Sequence, residues 1–314
     1  MLAARQCLAP IAAVLLVGWS SFAEEPDAKP KSDSPRTLED VRKTIASINH
    51  SGDRSTDPAA LEREQALKRL KVYRYLARVP HDNLVLDDDF CKTARAGARL
   101  CERLGRLDHR PENPGLSADE YQLGLKGTSS SNLAEGFPTL AKSIDAWMDD
   151  SNPSNLDKLG HRRWCLFPYL QKVGLGRSGK FSAMYILDHS QKDVLDFDFV
   201  AFPGPGPIPV EFFGSHWAWN VSLNPQKFRP PRAEVKLSIQ EIDKTDKRIG
   251  PSLALNHQSV SSDGFGLPGC IIFRPSVIAL RPGRRYQVEI DGLLTSRGEK
   301  AMPVVYSVEF VSVR

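Results

Sequence analysis

The chain lacks the familiar catalytic signatures. It contains no His-Glu-x-x-His, no Cys-x-x-Cys, no Walker loop and no dinucleotide-binding glycine pattern, which removes zincin, dithiol-redox, P-loop and Rossmann chemistry. Gly176-Arg177-Ser178-Gly179-Lys180 comes nearest to a nucleophile elbow. It lacks the final glycine of that motif and reads as a hairpin turn between strands. Charge of one sign is also missing: 42 Lys+Arg face 38 Asp+Glu with the signs interleaved. No basic stripe carries spaced aromatics, so nucleic acid is not an expected partner. Beyond the first 23 residues no apolar run reaches the roughly 20 residues that a spanning helix needs.

Cysteine is scarce. Cys7 falls in the N-terminal apolar segment, leaving Cys91, Cys101, Cys165 and Cys270, too few for a disulfide framework at this length. Cys91 and Cys101 fall on one expected helix, where ten residues rise about 15 Å. A bridge needs Cα atoms within about 7 Å, so these two do not pair with each other. Two of the three pairings stay open, as do four buried free thiols.

What is present begins with an export signal. Arg5 precedes the apolar stretch Leu8 to Val17, and Ser21-Phe22-Ala23 places small residues before Glu24. That is the layout of a cleavable secretory segment over residues 1–23. Residues 24–57 are rich in Pro, Ser, Asp and Lys and read as a flexible leader, with a short helix from Leu38 to Ile48. Asn49-His50-Ser51 and Asn220-Val221-Ser222 match the glycosylation acceptor pattern.

From residue 58 to 202 helices precede strands. Asp57-Pro58 is a cap followed by a first-turn proline, and Leu67, Leu70, Tyr73 and Ala77 recur at helical spacing up to Pro80. Asp87-Asp88-Asp89 opens a second helix with a buried stripe of Phe90, Ala94, Ala98, Cys101 and Leu104, ended by Gly105. A Gly/Pro/Ser-rich loop follows, then a third helix from about Pro138 with Leu140, Ile144 and Trp147 on one face. Lys172–Arg177, Phe181–Leu187 and Val194–Phe202 read as strands. Residues 203–209, Pro-Gly-Pro-Gly-Pro-Ile-Pro, read as a semi-rigid linker. Residues 210–314 alternate apolar and polar in short runs, as in Trp217, Trp219, Val221 and Leu223 or Tyr286, Val288 and Ile290. That is the pattern of an antiparallel β-sandwich, with both tryptophans on its interior face.

Four motifs then occur in a fixed order. Leu107-Asp108-His109 follows a long helix; Ser131-Asn132-Leu133-Ala134-Glu135-Gly136 comes next; Ile144-Asp145-Ala146-Trp147-Met148-Asp149-Asp150 occupies a helix; and Gly160-His161-Arg162-Arg163-Trp164-Cys165-Leu166-Phe167-Pro168 precedes Lys172-Val173-Gly174-Leu175-Gly176. Together they resemble the CAP superfamily (cysteine-rich secretory, antigen 5 and pathogenesis-related-1 proteins), in its secreted bacterial branch. The resemblance implies an α+β protein: an α/β/α sandwich followed by an all-β, immunoglobulin-like sandwich. It also implies a cleft lined by two histidines and two acids, in which the histidines can hold a divalent metal such as Zn²⁺.

Carried over by position, the histidines are His109 and His161, and Asp150 stands for one acid. Ser131 replaces the other acid, beside Asn132, and Glu135 lies four residues away. With one acid gone, the expectation is a non-catalytic binding module outside the cell or at its envelope, recognising a lipid, glycan or protein. Metal is not required. Two alternatives are a metal-assisted hydrolase using His109, His161 and Asp150, and a lipid or sterol carrier. Trp147 and Trp164 read as core, Arg162 and Arg163 as partners of acids such as Asp149, and His81, His189, His216 and His257 fit no ligand spacing.

Overall fold

The computed structural model describes residues 36–51, 55–191, 193–232 and 234–314. The expected signal segment and the first part of the leader lie outside the described residues. The short helix expected within the leader is present and runs two residues further. Helix α1 (Leu38–His50) starts at a reciprocal cap, with the Thr37 hydroxyl accepting from the Asp40 N–H and the Asp40 carboxylate accepting from the Thr37 N–H. It buries Val41, Ile45 and Ile48, spaced at four and three residues, against the next helix.

Helix α2 (Pro58–Leu76) is capped by Asp57, and its interior Tyr73 and Leu70 are buried. Strand β1 (Val85–Leu86) leads to α3 (Asp88–Leu104), capped by Asp87 and ended by Gly105 in the left-handed region at φ 70°. Within α3 the buried face is Ala94, Gly97, Ala98, Leu100 and Cys101, with Phe90 and Leu104 only partly covered. Helix α4 (Ala118–Ser129) occupies what reads in the sequence as loop. Strand β2 (Ser131–Glu135), helix α5 (Leu140–Asp149), the short helix α6 (Gly160–Cys165) and strands β3 (Lys172–Ser178) and β4 (Phe181–Tyr185) complete this half.

The first sheet has order β1-β3-β4-β2, and helices cover both of its faces. Leu133, Phe181, Ala183 and Tyr185 pack with Ala94, Ala98 and Cys101 of α3, while Val173, Leu175, Ala134 and Met184 pack with α2 and α5. The alternation along each strand sends successive side chains to opposite helix layers. On the α3 side β3 carries glycine: a Cβ at Gly174 would lie 2.0 Å from the Phe90 carbonyl carbon, and one at Gly176 2.2 Å from the Arg95 nitrogen. The motif Gly174-Leu175-Gly176 therefore lets α3 rest directly on the strand backbone, a packing role.

The remaining strands are β5 (Phe199–Phe202), β6 (Gly206–Pro209), β7 (Trp219–Leu223), β8 (Lys236–Ile242), β9 (Arg248–Ile249), β10 (Leu255–Ser261), β11 (Cys270–Pro275), β12 (Arg285–Asp291) and β13 (Val304–Val311). They form two sheets, β10-β11-β7-β5 and β6-β13-β12-β8-β9. Trp219 joins them: its ring lies 6.1 Å from Phe273 of the first and 6.1 Å and 6.4 Å from Phe310 and Tyr286 of the second. Trp217 and Trp219 are both buried, as the alternation implies. Asn220, in the second glycosylation triplet, is 1% exposed and faces protein.

Two features move the expected boundary. Strand β5 pairs antiparallel with β7 and so belongs with the later sheets. The expected linker 203–209 contains β6, which pairs in parallel with β13. Prolines are tolerated there because β6 is an edge strand, where a missing N–H leaves no neighbour unsatisfied. The fold is thus mixed α+β, with its two halves overlapping in sequence.

Candidate functional site

The motif Gly160-His161-Arg162-Arg163-Trp164-Cys165 folds as α6, and its side chains radiate to different parts of the molecule. Arg162 is fully buried. Its guanidinium donates to the carbonyls of Met148, Asp149 and Ala218 and to Asn220 Oδ1 (3.1 Å). The expected pairing with the Asp149 carboxylate is absent; the backbone carbonyl takes its place. Arg163 donates to the carbonyls of Lys158 (3.2 Å), Asp263 and Leu267 (2.9 Å) and to Ser261 Oγ (3.1 Å). Burial pulls the pKa of Arg162 down to about 10. It remains a cation at neutral pH, held by carbonyl dipoles in place of water. Arg74 does the same beneath the helix, donating to Cys165 O (2.9 Å), Phe167 O (2.9 Å) and Leu170 O (3.2 Å), with burial lowering its pKa to about 9.

His161 is thereby fixed from below, and Asp150 fixes it from the side. Asp150 ends α5 in a left-handed conformation (φ 46°) and Leu159, just before α6, adopts another (φ 45°). Such conformations cost a non-glycine residue about 1 kcal/mol or more and persist where the surroundings dictate them. The Asp150 carboxylate accepts from the backbone N–H of His161 (2.9 Å) and of Arg162 (3.3 Å), supplying the cap that Leu159 cannot provide. Its other oxygen lies 2.8 Å from His161 Nδ1. A carboxylate there accepts, so Nδ1 is the donor and Nε2 is left for another partner.

His109 reaches the same arrangement by another route. Its Nδ1 lies 2.7 Å from the carbonyl of Thr128 at the end of α4, and the Thr128 hydroxyl donates back to the His109 carbonyl at 3.2 Å. A carbonyl only accepts, so again Nδ1 is the donor and Nε2 is free. Helix α4 is what positions this residue. It packs on α3 so closely that a Cβ on Gly127 would lie 2.3 Å from the Thr93 carbonyl oxygen.

His109 and His161, distant in sequence, line one open cavity of about 440 Å³ together with Ser131 and Asn132. Asn132 grips α6 as well, donating from Nδ2 to the His161 carbonyl at 3.0 Å. Ser131 Oγ is buried and makes no hydrogen bond. Asp150 is not a lining residue. Its side chain is 1% exposed and acts through His161. Glu135 forms an ion pair with Lys180 away from the cavity. Trp164, expected in the core, is half-buried on the cavity wall, beside Ile186 and Leu187.

Among the described residues, no three His, Cys, Asp or Glu side chains converge as a metal centre needs. Two free imidazole nitrogens with the nearest carboxylate already committed do not fit a three-ligand Zn²⁺ site. His216 and His257 pair singly with Asp149 (3.1 Å) and Asp157 (3.5 Å). Cys91, Cys101, Cys165 and Cys270 are buried free thiols. Burial raises the pKa of each, which keeps them protonated and unreactive.

Sequence reading did not find Phe265, Lys158 or Asn155, which also line the cavity. Phe265 had a visible signal, a large aromatic between two glycines in a turn (Gly264-Phe265-Gly266). Its destination depends on how the two halves of the chain meet. No protein-family model matches the chain, and comparison with curated proteins and with solved structures likewise returned no match.

Proposed function

We propose that this chain is a secreted, CAP-like protein with an immunoglobulin-like second half, and that it binds a ligand in the cleft between His109 and His161 without turning it over. The observation that carries this reading is the matched pair of imidazoles. Each has Nδ1 tied to a fixed acceptor, and both rings line one solvent-open cavity. Such pre-oriented hydrogen-bonding groups in a concave, partly apolar pocket are what a small binding site requires. Against catalysis, no serine or cysteine among the described residues hydrogen-bonds either ring, and Ser131 Oγ is unbonded. The motif order and the export-like N-terminus support the family and the location.

The Asp150–His161 pair favours a second reading, hydrolysis with His161 as general base, because a buried carboxylate orienting an imidazole is half of a triad. The two readings separate on incubation of the purified chain with peptide, ester and glycan panels, followed by His161→Ala. Binding should be lost in the variant while wild type shows no turnover. Turnover that vanishes with His161 would replace the binding reading by the hydrolase.

A further inference from the structure

The cleft has two walls, and the second comes from the far half of the chain. Phe265 sits in the turn between β10 and β11 and lines the same cavity as both histidines. The turn is clamped in place. Arg163 holds the carbonyls of Asp263 and Leu267, its guanidinium carbon lies 5.4 Å from the centre of the Phe265 ring, and Lys158 Nζ lies 3.8 Å from the Asp263 carboxylate. The ring rests against Gly160, where an added Cβ would approach it to 3.1 Å. Phe265 is therefore a fixed, half-buried apolar surface beside His161.

The charges around the cavity are one-sided. Arg110 and Lys158 line it with the two imidazoles, and no carboxylate does. Three acids that touch its lining residues are engaged. Asp150 is spent on α6, Asp263 faces Lys158, and Asp108 accepts from Arg106 and from the Arg110 N–H. Serine hydroxyls and Asn155 supply further donors. Apolar surface comes from Phe265, Trp164, Ile186 and Leu187.

We propose that the β10–β11 turn is a ligand-binding wall with Phe265 as its contact residue, and that the cleft selects an organic anion carrying an apolar group beside the charge. This rests on the reading of the cleft as a binding site. The charged end meets Arg110 and Lys158; the apolar body lies between Phe265 and Trp164, with the two imidazoles alongside.

The test titrates the full chain with phenylacetate, its uncharged isostere phenylacetamide and inorganic phosphate, following heat and the histidine ring resonances. Phenylacetate should bind roughly tenfold tighter than phenylacetamide, as a charge-assisted contact implies. Phe265→Ala should weaken phenylacetate about fivefold or more, leave phosphate unchanged, and be largely rescued by Phe265→Leu, from the lost apolar contact. Unchanged melting of both variants shows that the turn has kept its place. Equal affinity for acid and amide, or no binding of either anion, overturns the charge assignment. Wild-type affinity in Phe265→Ala overturns the wall. Either failure leaves the cleft standing if an uncharged ligand shifts both His109 and His161, whereas phenylacetate bound without moving either ring removes the cleft as well.

Discussion

The two sides of the cleft are built to different standards of rigidity. His161 rests on α6, whose Arg162 is fully buried and whose cap, Asp150, is 2% exposed. His109 lies on an exposed segment after α3, next to Leu107 at 41% exposure, and is tied down through Thr128. One imidazole is set by buried charge networks, the other by two bonds to one helix end. Fixed and adjustable walls facing each other suit a site that positions one end of a ligand and adapts to the rest.

The contrast breaks most easily at Arg162. Arg162→Met would leave the Met148, Asp149 and Ala218 carbonyls and Asn220 Oδ1 without their donor. The expected loss is about 3–5 kcal/mol of stability in urea denaturation, since each buried acceptor left unsatisfied costs about 1–3 kcal/mol. A loss under about 1 kcal/mol would mean that α6 is not the rigid side.

A paired comparison sharpens it. Asp150→Asn keeps the shape but replaces an acceptor of three bonds, and should cost about 2 kcal/mol. Nitrogen-detected spectra should show the His161 tautomer altered and His109 untouched. Thr128→Val removes a hydroxyl shared between the His109 carbonyl at 3.2 Å and the Leu125 carbonyl at 3.1 Å, so it should cost about 1 kcal/mol and leave His109 Nδ1 on the Thr128 carbonyl. Equal losses from the two substitutions would erase the distinction.

The smallest effect is one of pH. Burial holds His257 below its usual value of 6.5, with Asp157 opposing the shift. Asp157 sits in the segment leading to α6. The folded state takes up this proton less readily than the unfolded chain, so stability is full above the unfolded value and falls as pH drops through it. Melting between pH 7.5 and 5.5 should decline less steeply in His257→Gln than in wild type; identical slopes would remove His257 from the acid response.

Much of this could be read from residue types. Asp57, Asp87 and Gly105 mark helix ends because capping chemistry is local. The motif order led to His109 and His161, which do share a cavity. Other features were hidden where tertiary packing overrides local propensity. Gly124 and Gly127 make α4 look like loop, yet they are small because α3 crosses there, its backbone against Gly127 and the Leu100 side chain against Gly124. The prolines of 203–209 suggest a spacer and instead occupy a sheet edge. Asp150, which the sequence assigns to the helix, is the left-handed residue just past its end, and it supports His161 from behind without lining the cavity. Phe265 lies about a hundred residues beyond α6, a distance no local pattern bridges.

Strand β5 is laid down in sequence before the proline-rich stretch, but its hydrogen bonds are all to β7 beyond it. The chain is interleaved at its own waist. A fragment ending near residue 203 would carry off an edge of the downstream sheet and deprive Arg162 of two of its acceptors, Ala218 O and Asn220 Oδ1. A fragment beginning there would strip Phe202 and Arg162 from Trp217. The protein is thus indivisible at the point where its composition most invites a cut, and whatever acts on one half must be inherited, expressed and assayed with the other.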